Sequence, residues 1–246
     1  ITTYTPVGTE VGWEGTLVVS HCHVHGGGRV GRDHALLYTG DIHSSGVRWH
    51  HNIVHNGTEK CLRADDLAAN TTMDHNVVFH CGMSPDTDDR STGSGLGIAP
   101  KGDHHIVFAN TVFDSNTTDL CVPSCPRLPV VIQNAHSQIF NTAAQNDTGA
   151  PCSCNSSYLQ HPGGNQSAIY RGSSLQFVDA ANFDFRPTPM SPLVDAGVIF
   201  PPYTTEFMGG APDIGAMESG QPAWTAGCVN MFGCDDPEQL LVFEHL

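Results

Sequence analysis

Apolar residues along this chain come in short runs broken by polar bends, and no stretch keeps a sustained helical period. Five segments share one cadence: TLVVSHCHVH from Thr16, GVRWHHNIVH from Gly46, TTMDHNVVFH from Thr71, HIVFANTVFD from His105 and SQIFNTAAQN from Ser137. Aligned, they place Cys22, Asn52, Asn76, Asn110 and Asn141 at one position, at intervals of 30, 24, 34 and 31 residues. Such intervals suit stacked solenoid repeats. Three residues earlier stand Val19, Trp49, Met73, Val107 and Gln138; two residues later stand Val24, Val54, Val78, Val112 and Ala143. Two apolar columns flanking a polar position predict two short strands meeting at a sharp turn. Asn suits that turn because it tolerates the left-handed conformation, and its amide can bond from coil to coil. A third strand per repeat is expected at ALLYTGD from Ala35, CLRADDL from Cys61, GLGIAPKGD from Gly95 and PVVIQN from Pro129. Three short parallel strands per repeat make an all-β solenoid.

Composition narrows the reading. The chain has 246 residues, 39% hydrophobic and only 14% charged, with 26 Gly and 16 Pro, which excludes a helical bundle and a disordered acidic chain. The formal charge of −15 repels phosphate backbones and anionic lipid, so nucleic acid and membrane surfaces are poor partners. No apolar run is long enough to span a bilayer, and no signal peptide is recognisable. The chain opens at Ile1 without a methionine, which suggests a mature product or a fragment.

Cysteines and sequons point outside the cell. None of the nine cysteines falls in a zinc-finger spacing, so disulfides are the better reading. Cys22 takes the position where other coils carry Asn and is expected to be a buried free thiol. Cys61 and Cys81 approach one edge and can bond, and Cys228 and Cys234 can close a short loop. Cys121 and Cys125 can pair together or reach Cys152 and Cys154, a Cys152–Cys154 bond being the least favoured. N-glycosylation sequons begin at Asn56, Asn70, Asn116, Asn146, Asn155 and Asn165, where chance would give about two. The expectation is a secreted eukaryotic glycoprotein.

The run HHNIVHNG…CLRADD…MDHNVVFHCG…GLGIAPKGDHHIVFANTVFDS resembles the right-handed parallel β-helix repeat proteins. DFRPTPMSPLVDAG from Asp184 and APDIGAMESG from Ala211 resemble the ending that closes many such helices. The resemblance implies coils over residues 16–186 with a disulfide-pinned excursion near 144–175, and a closing segment over 187–220. Residues 1–15 are expected to cap the helix or belong to an earlier coil, and 221–246 to leave it as a tail with Cys228 and Cys234. The family includes many polysaccharide lyases and also members without known activity, so fold alone does not assign a function.

In lyases of this resemblance the substrate groove follows one parallel sheet. Aligning the third strands on their terminal Asp puts Thr39, Arg63 and Lys101 in one outward column and Asp41, Asp65 and Asp103 in the next, with Asp66 adjacent. A lyase acting on a uronic acid removes the proton α to a carboxylate, which requires a base and neutralisation of that carboxylate by Ca²⁺ or Arg, and Arg63 and Lys101 are the expected catalytic residues. Lys101, its pKa lowered by a neighbouring Arg63, is the expected base. Asp65, Asp66 and Asp103 are the expected Ca²⁺ ligands, with Asp41 and Thr39 contacting substrate. A solvated ladder of compensating surface charges would give the same pattern.

Fifteen histidines include His21, His51 and His75 in one column, and His21, His23 and His25 alternating along a strand. Imidazoles suit Zn and Cu, but the sequence shows these histidines no carboxylate partner, and stacking at a turn is the plainer expectation. The loop holding Asp86, Asp88 and Asp89 lacks the Gly and Glu of a helix–loop–helix calcium site. Two functions follow. One is a secreted carbohydrate-active β-helix that eliminates across, or binds, a polysaccharide or other glycan. The other is a non-catalytic subunit of an extracellular fibre, wall or surface layer, whose open solenoid ends favour self-assembly.

Overall fold

The computed structural model describes residues 17–27, 34–40, 46–65, 68–82, 95–116, 118–120, 136–145 and 165–227. The first coil holds β1 (Leu17–Ser20), β2 (His23–His25) and β3 (Ala35–Gly40). The second holds β4 (Val47–His50), β5 (Ile53–His55) and β6 (Lys60–Asp65), the third β7 (Thr72–Asp74), β8 (Val77–Phe79) and β9 (Leu96–Pro100). The fourth holds β10 (Ile106–Phe108), β11 (Thr111–Phe113) and β12 (Thr118–Leu120). β13 (Gln138–Ala144) runs through the bend of a fifth coil, and β14 (Asn165–Tyr170) pairs with it. Like strands of successive coils pair in parallel, and the chain is a right-handed parallel β-helix. The fourth third-strand falls at β12; the one expected at Pro129 lies outside the described residues.

Three apolar columns fill the interior. Val19, Trp49, Met73, Val107 and Ile139 stack on the first sheet, and Val24, Val54, Val78, Val112 and Ala144 on the second. Leu37, Leu62, Ile98 and Leu120 close the third side. Burial of each large side chain contributes about 1.5–3 kcal/mol. In the fifth coil the expected column members Gln138 and Ala143 are each one residue early. Phe140 pairs with Phe108, which places Asn141 opposite Ala109 and Thr142 opposite Asn110. Period-2 alternation makes that slip decisive, because one residue turns a side chain to the other face. Asn141 is therefore not in the ladder.

The ladder itself runs through Cys22, Asn52, Asn76 and Asn110. The backbone N–H of Cys22 donates to Asn52 Oδ1 (2.9 Å), that of Asn52 to Asn76 Oδ1 (3.2 Å) and that of Asn76 to Asn110 Oδ1 (3.0 Å). Each amide also donates back to the preceding coil's carbonyl, Asn52 to Val19 and Asn76 to Trp49 (both 2.9 Å). The left-handed residue is not the Asn but the one before it: His21, His51, His75 and Ala109, all with φ near +50°. Asn141 (φ 48°) holds this same bend position in the fifth coil.

Cys22 is a free, half-buried thiol whose Sγ donates to the Ser20 carbonyl, and burial pushes its pKa up. Cys61 and Cys81 form a disulfide with Cα atoms 5.7 Å apart. Cys121, Cys125, Cys152, Cys154, Cys228 and Cys234 lie outside the described residues.

The outer face of the second sheet is itself apolar and covered. Ile53, Val77 and Phe79 pack against Phe185, Ala216 and Met217. The covering chain includes the antiparallel pair β15 (Phe177–Asp179) and β16 (Asp184–Pro187), which is not a coil. It is pinned at the fifth coil by Asn141, whose side chain exchanges two bonds with the backbone of Val198 (2.8 and 2.9 Å). Residues 221–227 do not leave the helix. Trp224 meets His51 edge-on, and the Gly227 N–H reaches the His21 carbonyl at 2.7 Å.

Candidate functional site

The third sheet, in the order β12-β9-β6-β3, carries the expected charges, with a shifted register. Thr39 pairs with Ala64, and Arg63 lies between Tyr38 and Ala99. Aligning the strands on a terminal Asp misplaced them because that Asp is not at an equivalent position in each. Thr39 consequently faces inward beside Leu37 and is 1% exposed, which leaves it no surface for a substrate. Asp41 and Asp66 lie outside the described residues.

Arg63, Asp65 and Lys101 do come together on the outer face. The Arg63 guanidinium approaches Asp65 Oδ1 at 2.7 Å, and Lys101 Nζ donates to the same oxygen at 2.8 Å. Tyr38 Oη donates to Oδ2 at 2.8 Å, and the Arg63 guanidinium lies 5.7 Å from the Tyr38 ring centroid. Burial alone would raise the Asp65 pKa, but the Lys101 hydrogen bond and the charge of Arg63 prevail and hold it at about 2. Arg63 is buried, with a side chain 4% exposed, whereas the Lys101 side chain is 31% exposed. Of the two expected catalytic residues, only Lys101 has a side chain that reaches solvent to any extent.

Lys101 is also fixed from behind. Its N–H donates to the Ala64 carbonyl, and Gly102 follows with φ +95°, where a Cβ would run into the Ala68 carbonyl oxygen. Buried His105 accepts from the Thr71 N–H at Nδ1 (3.2 Å), so Nε2 carries the proton and donates to the Lys101 carbonyl at 2.7 Å. Burial lowers the His105 pKa to about 4. Tyr38 and His105 were missed in the sequence. Tyr38 has a signal, since it aligns opposite Arg63 once the strands are matched on Leu37 and Leu62.

Asp103 belongs to a different network. It pairs with His136 (Nδ1 to Oδ2, 2.6 Å) and lies 3.5 Å from His104, away from the Arg63–Asp65–Lys101 group. Asp65 and Asp103, the two expected calcium carboxylates among the described residues, therefore belong to separate networks. Both oxygens of Asp65 already accept from cations or a phenol, a poor start for an ion that takes six to eight oxygen ligands.

The histidine column is present. His21 stacks on His51 (centroids 5.0 Å) and His51 on His75 (4.8 Å). It has the carboxylate that the sequence did not show: Asp74, buried, accepts a bidentate pair from Arg48 (2.8 Å each) and a bond from His75 (3.0 Å). Burial and the neighbouring imidazoles lower the His51 pKa to about 3. A second row, His25, His55, Phe79 and Phe113, stacks along the next sheet, and burial lowers the His55 pKa to about 4.

No family model and no curated protein matches the sequence. Among solved structures, that of pectate lyase Pel9A is similar, with a TM-score of 0.57 at 14% identity. The match covers 83% of this chain and 60% of that one, so this chain spans well under two thirds of the other's length. At that identity the likeness is one of fold.

Proposed function

We propose that the protein is a secreted, carbohydrate-active β-helix that cleaves a uronate polysaccharide by β-elimination, with Lys101 as the base. The observation that carries this is the part-exposed Lys101 side chain, held on the outer face of the third sheet by Asp65 and braced by His105. In the elimination the Lys101 amine, once it has left Asp65 and given its proton to solvent, takes the proton α to the uronate carboxylate. The electron pair forms the new double bond, and the β-glycosidic oxygen leaves with a proton from solvent. Arg63 has a positioning role: bound to the same Asp65 oxygen, it keeps that carboxylate paired when Lys101 turns to the substrate. No step is routed through a bound cation, because both oxygens of Asp65 already accept from Arg63, Lys101 or Tyr38 and Asp103 pairs with His136. The likeness to pectate lyase Pel9A supports the substrate class by analogy of scaffold.

Lys101→Ala should lower the yield of unsaturated product from uronate polysaccharides by about 10²–10⁴-fold, the usual worth of a general base. Its stability cost should be about 1 kcal/mol or less, because the ion pair is partly exposed and Asp65 keeps Arg63 and Tyr38. Full activity of that variant would remove Lys101 from the mechanism. Absence of product from every uronate polysaccharide, with intact wild-type fold, would favour the non-catalytic extracellular role, which the charge of −15 also supports.

Secretion carries its own test. Asn56, Asn70 and Asn116 are exposed, the first two on left-handed turns (φ 56° and 54°). Asn165 opens β14, and Asn146 and Asn155 lie outside the described residues. Protein from its natural source should lose mass when treated with an N-glycan-cleaving enzyme. An unchanged mass would overturn the glycoprotein assignment. Among the described residues no helix is long and apolar enough to cross a membrane.

A further inference from the structure

Among the described residues two groups of side chains bring three ligand atoms within 4.8 Å of one another: His50, His51 and Asp74, and Asp103, His104 and His136. The first is disqualified by charge. Arg48 donates to both oxygens of Asp74, so a metal ion would have to sit beside a guanidinium and compete with it for a buried carboxylate. Among the described residues no Lys or Arg pairs with Asp103. Its Oδ1 accepts the backbone N–H of His136 (2.8 Å), which aims Oδ2 at the two imidazoles. Oδ2 lies 2.6 Å from His136 Nδ1 and 3.5 Å from His104 Nδ1, and the rings are stacked at 4.7 Å.

We propose that Asp103, His104 and His136 form a binding site for one borderline divalent cation, zinc being the best fit, where the turn that joins the third coil to the fourth meets the segment that leads into the fifth. Two imidazole nitrogens and one carboxylate oxygen are a donor set for zinc or another first-row transition ion rather than for calcium. Bonds of about 2.0–2.1 Å to each ligand put the donor atoms of a tetrahedral or square site about 3 Å apart. The present separations of 2.6 and 3.5 Å straddle that value, and both histidines are more than half exposed and able to adjust. The carboxylate is already oriented by its second oxygen, and its backbone is fixed by bonds to Ala68 and Asn70, the outer support that a metal ligand needs. Displacement of the hydrogen-bonded proton between His136 and Asp103 releases it to solvent as the metal binds. Three protein ligands leave the fourth tetrahedral position to water or to an oxygen of an incoming molecule. With His136 on one coil and Asp103 and His104 on the preceding turn, the ion would also staple neighbouring coils together.

The test is Zn²⁺ titration of the chelator-treated full chain, followed by calorimetry and by the shift in melting temperature. Wild type should take up one equivalent that His136→Ala and His104→Asn each lack or bind about 100-fold more weakly; Asn tolerates the left-handed φ of 57° at position 104. The His50→Ala/His51→Ala double variant should keep that equivalent, which separates it from zinc held by the histidine column. Excess Ca²⁺ should not displace it. Equal zinc uptake by wild type and both site variants would overturn the proposal, as would loss of the equivalent in the His50/His51 variant alone or its displacement by Ca²⁺.

Discussion

Asn76→Ala should be among the most damaging single substitutions in this protein, costing about 3–5 kcal/mol of the 5–15 typical of a folded domain. Asn76 is fully buried at the middle of the ladder. Its Oδ1 accepts both the backbone N–H and the amide of Asn52, and its amide donates to the Trp49 carbonyl and to Asn110 Oδ1. Alanine removes all four bonds and leaves the Asn52 N–H and the Trp49 carbonyl with no water to replace them. Each such buried group costs about 1–3 kcal/mol, though neighbouring losses are not additive. Asn141→Ala is the control. It loses the two bonds to Val198, at the edge of the helix where the covering chain can loosen without opening the coils. Urea unfolding monitored by circular dichroism should therefore rank Asn76→Ala well below Asn141→Ala in midpoint. Equal midpoints, or a cost under 1 kcal/mol for Asn76→Ala, would remove the ladder as a principal stabilising element.

What could be read from the sequence follows from what repeats. Trp49, Met73 and Val107 are interior in every coil, so their column and the ladder from Cys22 to Asn110 emerge from alignment alone. Asn141 misled because alignment on a polar residue type outweighed the apolar pair Ile139 and Ala144, which fix the register physically through burial. The same preference for a polar marker displaced the third strands, put Thr39 on the surface and joined Asp103 to Asp65. Lys101, Arg63 and Asp65 still meet, since the register that sets Ala64 beside Pro100 brings Lys101 to Asp65 on the next coil, about 4.8 Å away, with Arg63 two residues along the same face. The cover over the second sheet was hidden for another reason. Ile53, Val77 and Phe79 are outward and apolar, a sign of a strand buried on both faces, but nothing local says which distant segment supplies the other layer. The Cys61–Cys81 bond was legible because both residues flank the same edge of neighbouring repeats.

Acid should weaken the fold well before its carboxylates titrate. His51, His55 and His105 have folded pKa values of about 3, 4 and 4, lowered chiefly by burial, against 6.5 in an unfolded chain. Between those limits the unfolded state binds protons that the folded state refuses, so stability is complete above pH 6.5 and falls as pH drops toward 4. Each fully neutral histidine contributes a slope of at most about 1.4 kcal/mol per pH unit. His51 and His55 contribute less because they are partly open to screening solvent. Glu218 acts in the opposite sense. Burial raises its pKa to about 7 from 4.5, so the folded state holds an extra proton between those values and offsets about one histidine. The net loss should be about 1–2 kcal/mol per pH unit from pH 6 to 4.5; below that Glu218 no longer compensates, but His55 and His105 begin to protonate in the folded state and their share fades as well. Below pH 3.8 Asp65 and Asp74, both held at about 2 against burial by their cationic partners, add their share. Urea midpoints measured from pH 7.5 to 4 should trace this curve. His105→Gln, which can keep an acceptor for Thr71 and a donor for the Lys101 carbonyl but cannot titrate, should flatten it by up to one proton. A wild-type midpoint that stays level from pH 6.5 to 4.5 would show that the histidines are not held neutral by the fold.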